Sequence, residues 1–474
     1  MIINIALNNF KYRYDIYQMF NLFYPFSQII FEEGSWDYKI DIEKDKVLIS
    51  DKEETKEFFI SETGKRKEEI KKAVYIFLGD KTEKIFPWGT LVGIRPSKIA
   101  LSLLNEGKSE DEIVDYFYRH YLTNEEKARL CIKIVEVEKR MVNKDENTVS
   151  LYIGMPFCPT RCLYCSFASN PIASCKRIVE PYIHSLIHEM EEMKRFIREK
   201  ALTVQTIYFG GGTSTAVDDV QFEYIMKNIY NKFIYGNNIK EFTVECGRPD
   251  SLTKEKFSTM KKYKVDRISI NPQTMNEDTL KLIGRKHTVY DVIEKFKMAR
   301  EMGFNNINMD IIVGLPKEGL SHIKNTCQEI LKLKPDSLTV HGLSIKRGSR
   351  LHENMKEHLE KIHQNELNLM YKETSKLAED LEMAPYYMYR QKNMVGNMEN
   401  IGYSRFGKEC IYNIQMIEEK QTVIALGADA VTKVIFLDEN RIERVPNVKD
   451  VIEYNKRIDE MIERKIVELE KLYK

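Results

Sequence analysis

Between residues 148 and 345 six short apolar runs alternate with charged segments of helical period, and no other feature of the chain restricts its fold so tightly. The runs are Val149–Gly154, Thr206–Phe209, Glu241–Glu245, Asp266–Ile270, Asn308–Val313 and Ser337–Val340. Ile178–Arg198 and Asp218–Phe233 are examples of the helical segments between them. A helix after each strand returns the chain to the same end of the sheet, so the strands pair in parallel through right-handed crossovers. Six such units fall short of the eight that close a barrel, and ligands of such sheets gather at the C-terminal strand ends.

After the first run the chain reads YIGMPFCPTRCLYCSF, from Tyr152 to Phe167. Cys158, Cys162 and Cys165 are spaced too closely to share one face of a helix or strand, so they come from a loop wrapped around something. Clustered thiolates suit zinc or an iron–sulfur cluster. A structural zinc wants four protein ligands, and Cys175 or His184 is a candidate fourth. A cubane has four irons, so three cysteines leave one iron open to a small molecule, with Tyr164 beside it.

The other unusual residues fall at the same ends of the runs. YFGGGTST follows the second, with Gly210, Gly211, Gly212 and Thr213, whose backbone can approach a ligand closely. Glu245 ends the third, and INPQT brings Gln273 after the fourth. Arg285 lies in LIGRKH, and Asp310 sits inside the apolar fifth run, where a carboxylate is costly unless paired or bound to a ligand. His341 and Ser344 close the sixth. Taken singly, Asp310 reads equally as a satisfied core carboxylate, Arg285 as a helix-end charge and His341 as a core histidine. Together they mark one rim.

The C-x3-C-x2-C loop with an aromatic before its last cysteine resembles the radical S-adenosylmethionine enzymes. Y-x-G-x-P-F-C-x3-C-x-Y-C, GGGT, a strand-end Glu, P-Q-T, G-R-x-H and N-x-D-I-I-x-G-L-P in succession resemble the oxygen-independent coproporphyrinogen III oxidase family. The long N-terminal part and WGTLVGIRPSK are most similar to its HemZ-type coproporphyrinogen dehydrogenase branch. The resemblance implies a partial (β/α)6 barrel, with a [4Fe–4S] cluster on Cys158, Cys162 and Cys165. It implies that Tyr152, Gly211 and Glu245 contact the cluster-bound S-adenosylmethionine, with Tyr164 near the adenine. Gly212, Thr213, Gln273, Arg285, Asp310 and Ser344 match positions that hold a second S-adenosylmethionine in the oxidase. It further implies oxidative decarboxylation of coproporphyrinogen III to protoporphyrinogen IX, fed by a low-potential donor such as ferredoxin or flavodoxin. Two departures stand out. Phe167 occupies the place of the oxidase's further cysteine, and Gly154 that of a frequent histidine. Relatives with this Phe are oxidase-like, and one branch handles haem as a chaperone. A haem carrier and a radical enzyme that opens haem itself are therefore the alternatives.

The expected organisation is an α/β chain of three parts: an N-terminal α+β domain (1–147) of unknown role, the barrel (148–345) and a mostly α C-terminal lid domain (346–474). In the first part Ile2–Leu7, Gln28–Glu32, Tyr38–Ile42 and Lys46–Ser50 read as strands and Lys65–Leu78 as a helix. Ser97 is expected to cap a helix to Leu104, and Ser109/Glu112 and Thr123/Glu126 to form capping boxes. In the last part Asn354–Glu382 reads as a long helix. Arg390 and Lys392 could meet propionate groups under a tyrosine-rich lid, or belong to an ordinary loop and strand. Ala425–Ala430 is expected to bring flexible backbone near the site, and Val448–Tyr473 to be a scaffold helix.

Lys and Arg total 73 against 72 Asp and Glu, a balance that gives no bulk attraction to nucleic acid or acidic lipid. No apolar run reaches the roughly 20 residues a membrane helix needs. The N-terminal stretch MIINIALNNFKYRYD does not read as a signal peptide. Eight cysteines, five of them scattered, do not form a secreted disulfide framework. A reducing, cytoplasmic and anaerobic setting is expected.

Overall fold

Alternating apolar residues at the start of the chain build a small sheet. Its strands are β1 (Ile2–Leu7), β2 (Gln28–Phe31), β3 (Tyr38–Ile42), β4 (Lys46–Ser50) and β5 (Thr55–Phe59), in the order β2-β1-β3-β4-β5. The structure is a computed structural model that describes all residues except 33, 62–64, 94, 168–169, 347, 354–362, 392–393 and 474. Helices Arg13–Phe23 and Arg66–Thr82 contribute Phe20, Phe23, Val74 and Phe77 to a core shared with Ile3, Ile5 and Val47. Each such side chain stabilises the fold by about 1.5–3 kcal/mol relative to exposure. The first of these helices was not expected. It buries Ile16, Met19, Phe20 and Phe23 on one face.

The Ser109/Glu112 capping box is present. Two other expected caps differ. Ser97 is the first helical residue, behind Pro96, and makes no side-chain cap. Asn124 rather than Thr123 caps helix Glu125–Met141, accepting from Lys127 N at 2.9 Å. The Thr123 hydroxyl is taken by the Trp88 carbonyl at 3.1 Å.

The second sheet has eleven strands. In chain order the remaining strands are β6 (Thr148–Met155), β7 (Phe157–Cys158), β8 (Asn170–Pro171), β9 (Thr203–Gly211), β10 (Glu241–Glu245), β11 (Arg267–Ser269), β12 (Ile307–Val313) and β13 (Ser337–Gly342). They are followed by β14 (Ala384–Tyr389), β15 (Asn400–Ser404), β16 (Val423–Leu426), β17 (Val431–Phe436) and β18 (Arg441–Pro446). β7 and β8 pair separately, and the large sheet runs β14-β15-β13-β12-β11-β10-β9-β6-β16-β17-β18. The six expected strands lie side by side in chain order and in parallel, an open partial barrel. β6 is buried along nearly its whole length, as a strand covered on both faces must be.

The C-terminal part carries helices, as expected, together with five strands that extend the sheet at both edges. β16 continues it in parallel beside β6, with Ala425 opposite Tyr152 and Leu426 opposite Ile153. Ala425 and Leu426 are thus fixed, buried ladder residues, which corrects the expectation of flexible backbone there. The scaffold helix is two helices, Val451–Lys456 and Ile458–Leu472, broken at Arg457. Helix Gln364–Asp380 falls within the expected long helix, whose first residues lie outside those described.

The chain forms two compact units: residues 1–135 with 362–369 and 389–399, and the remainder, which contains the large sheet. In the first, Glu399 is fully buried and accepts from Trp88 Nε1 at 2.6 Å and Lys127 Nζ at 2.7 Å.

Candidate radical S-adenosylmethionine site

The C-terminal ends of β6 and β9 are drawn together by their ladder, Met155 opposite Gly211. Beyond that pair, Gly212 N donates to the Met155 carbonyl at 2.6 Å and Thr213 N to the Phe157 carbonyl at 2.9 Å. The glycines are required here. Gly211 has φ +106°, and a Cβ on it would stand 2.8 Å from Met155 O and 3.3 Å from the Tyr152 hydroxyl. A Cβ on Gly212 would stand 2.6 Å from Phe157 O and 2.9 Å from Cys158 Sγ. The Gly-rich turn therefore lies against the backbone that presents the first cysteine. Thr213 Oγ1 also donates to Cys158 Sγ at 3.6 Å.

Cys158 and Cys162 are buried and Cys165 is half-buried. The C-terminal end of the short helix Glu277–Leu282 holds their loop: Leu163 N donates to Ile283 O at 3.0 Å, and Thr160 Oγ1 to Gly284 O at 2.9 Å. Tyr164 and Arg285 both face Cys162. Arg285 is buried, its Nη1 donating to Asn271 O at 2.6 Å and Gly247 O at 3.3 Å, while its Nε has no protein partner. Among the described residues no three His, Cys, Asp or Glu side chains converge as ligands of a single ion. A lone tetrahedral ion needs donors within about 2.0–2.3 Å of one point, whereas a cubane takes its cysteines on separate irons. Cys175 and His184 lie on helix Ile172–Glu199, and His184 is exposed.

On strands β10, β12 and β13 stand Glu245, Asp310 and His341, each half-buried. His341 Nε2 lies 3.6 Å from Asp310 Oδ2, and Asn308 Nδ2 donates to Asp310 Oδ1 at 2.6 Å. Burial alone would raise the Asp310 carboxyl, but His341, Asn308 and Thr339 hold it below the ordinary range. Burial would likewise lower the His341 imidazole, and its bond to Asp310 raises it instead. Glu245 is pushed up to about 7, by burial first and by the Asp310 charge second, against hydrogen bonds from Tyr208 and the Gly211 backbone. Tyr152 stacks on Tyr208, rings 6.2 Å apart, and Tyr208 on Tyr412, 4.6 Å apart. Burial pushes the Tyr152 hydroxyl well up, so it stays a neutral donor.

Gln273 has φ +67°, outside the ordinary range for a side chain of its size, and is held there by Asp310 and Ile312 backbone bonds of 2.9 Å each. Ser344 is half-buried just past β13. Phe167 is 62% exposed, and Lys346 Nζ lies 5.4 Å from its ring centre. Arg390 does not present a free guanidinium. It is buried 5.0 Å over the Trp88 ring and bonded to the carbonyls of Leu91 (2.8 Å) and Asn397 (2.7 Å). Lys392 lies outside the described residues.

Sequence reasoning missed Arg248, Asp250 and the role of His287. Arg248 Nη1 donates to Cys162 Sγ at 3.6 Å, and Asp250 grips the same guanidinium at 2.8 and 2.9 Å. The signal available was GRPD, one residue beyond Glu245, a cation and a carboxylate just past a strand end.

The donor set fits the chemistry of a thiolate-held cluster with an open iron: three thiols in one loop, a close-backed glycine turn, an unsatisfied guanidinium N–H and two carboxylates that could accept from ammonium or hydroxyl groups. A family model for the Radical SAM superfamily matches residues 152–330. The oxygen-independent coproporphyrinogen-III oxidase-like protein HemZ of Bacillus subtilis is 42% identical over 392 residues, 81% of this chain and 77% of that protein. The chain belongs to the oxygen-independent coproporphyrinogen-III oxidase-like family of the radical SAM superfamily, whose cofactors are a [4Fe–4S] cluster and S-adenosylmethionine. The haem chaperone HemW of Bacillus subtilis is 35% identical over 196 residues, 41% of this chain and 50% of that protein. Coproporphyrinogen III oxidase (HemN) from Escherichia coli matches in fold with a TM-score of 0.53 at 19% identity, over 71% of this chain and 73% of that one.

Proposed function

We propose that the chain binds its cluster through Cys158, Cys162 and Cys165 and oxidatively decarboxylates coproporphyrinogen III propionates to vinyl groups, giving protoporphyrinogen IX. The observation that carries this reading is the meeting of Cys158 Sγ with the Gly212–Thr213 turn, 3.6 Å from Thr213 Oγ1, on the rim that also bears Glu245 and Asp310. Bound cluster and S-adenosylmethionine supply the one-electron chemistry that removes hydrogen from the carbon next to the departing carboxylate. The chain's own residues orient and shield. The open Arg285 Nε is a donor for a carboxylate, and guanidinium–carboxylate pairing fixes direction as well as affinity. Asp310 and Glu245 are acceptors for hydroxyl or ammonium protons. Tyr152, Gly211 and Glu245, with Tyr164 near the adenine, are assigned to the cluster-bound S-adenosylmethionine. Gly212, Thr213, Gln273, Arg285, Asp310 and Ser344 are assigned to a second. Residues 1–147, 148–345 and 346–474 are the proposed N-terminal, barrel and C-terminal domains.

Each propionate loses carbon dioxide, one hydrogen atom and one electron, so an electron acceptor is required, and a ferredoxin or flavodoxin is the proposed donor to the cluster. A second reading, a haem carrier that does not oxidise propionates, is favoured by one observation. The exposed Phe167 ring stands where the oxidase has a further cysteine, and it offers an apolar face to a flat macrocycle. Anaerobically reconstituted protein given coproporphyrinogen III, S-adenosylmethionine and a strong reductant should form protoporphyrinogen IX and 5′-deoxyadenosine. Tight haem binding with no vinyl product would replace the first reading with the second.

A further inference from the structure

Arg248 is 3% exposed, and its N–H groups turn in two directions. Nε and Nη2 donate to Asp250 Oδ1 and Oδ2 at 2.9 and 2.8 Å, a bidentate grip on one edge of the fork. On the other side Nη2 donates to Thr160 Oγ1 at 3.1 Å, and Nη1 to Thr160 O at 3.4 Å and to Cys162 Sγ at 3.6 Å. The mount is rigid. Ser251 N and Oγ both donate to Arg248 O, at 3.0 and 2.8 Å, and Ser251 Oγ is 2.6 Å from Thr215 Oγ1. His287 Nδ1 stands 3.8 Å from Asp250 behind the pair. A guanidinium is thus held against the sulfur of the middle cysteine, out of water.

We propose that Arg248 is a positioning residue that sets the reduction potential of the iron–sulfur centre, in addition to pinning its loop through Thr160. The proposal rests on the reading in which the three cysteines hold a cluster. Adding an electron makes such a centre more negative. A fixed cation and an N–H donor at a ligand sulfur stabilise the added charge and move the potential upward. In a buried setting the effect is screened less than at the surface. Asp250 aims the fork, and being bidentate it fixes orientation, where a lysine ammonium would offer a point charge alone.

The test is a redox titration followed by the electron paramagnetic resonance of the reduced cluster in the full-length reconstituted protein. It compares wild type with Arg248→Lys, Arg248→Met and Arg248→Met/Asp250→Asn, the last avoiding an unpaired buried carboxylate. Both Met variants should shift to a more negative midpoint, and Arg248→Lys should recover most of the shift. Iron content, measured alongside, reports loop placement separately. An unchanged midpoint in the Met variants, or a Lys variant displaced as far as they are, overturns the proposal. Wild-type protein with no iron–sulfur signal would instead overturn the cluster reading beneath it.

Discussion

Glu245 begins to ionise in the folded chain only near pH 7, and in an unfolded chain near the ordinary carboxylate value of about 4.3. Between those values the folded state holds a proton that the unfolded state has lost, so stability falls as pH rises through the window. Glu245→Gln removes this loss. In cofactor-free protein, urea denaturation should find the variant more stable than wild type at pH 8, by on the order of 1–3 kcal/mol, and equal to it near pH 4. Gly212→Ala should retain the fold, yet take up less iron on reconstitution, read by visible absorption, because its Cβ meets Phe157 O and Cys158 Sγ. At this scale the cysteines, glycines, Glu245, Gln273 and Asp310 stood out in the sequence, since each follows or ends a strand or breaks an apolar run, whereas Arg285, past helix Glu277–Leu282, stood out only through the G-R-x-H resemblance. Arg248 was not read, because its partner Cys162 lies in a different crossover, and the nearby GRPD signal shows a cation and a carboxylate but not the sulfur they meet.

Among elements, the junction between β16 and helix Ile172–Glu199 depends on one carboxylate. Glu189, fully buried, accepts from Lys465 Nζ (2.5 Å), Tyr454 OH (2.6 Å), Gly427 N (2.7 Å) and Asn447 Nδ2 (2.9 Å). Removing one partner of such a pair leaves an uncompensated charge, and Lys465→Met should lower unfolding stability by about 3–5 kcal/mol in a denaturant titration. Glu189→Gln with Lys465→Met should recover part of it. The parallel strands were readable from alternation with helices, to within a few residues. β16 was not read as a strand: a four-residue run, VIAL, buried on both faces has no period of its own, and its partner is β6, far away in sequence. Helix Arg13–Phe23 escaped notice because its tyrosines and phenylalanines suit strands as well as helices.

Over the whole molecule, the first compact unit is discontinuous: residues 389–399 return to it and bring Glu399 to Trp88 and Lys127. A fragment ending at residue 147 lacks that carboxylate and leaves Lys127 buried without it. Such a fragment should melt at lower temperature than the same unit in the full chain, by circular dichroism, and Glu399→Gln in the full chain should cost about 3 kcal/mol or more. This return was illegible in the sequence, since the stretch around Arg390 and Glu399 reads as a tyrosine-rich loop and strand with no sign of its destination.

The pairing of β16 with β6 has a consequence for how the protein comes into being. The strand that leads into the three cysteines has β9 on one flank and β16 on the other. On the ribosome that second flank stays bare until Leu426 has emerged, long after the cysteines themselves. On the proposed ligation by Cys158, Cys162 and Cys165, iron arriving during translation would meet a half-built cradle, and secure loading is expected of the finished chain.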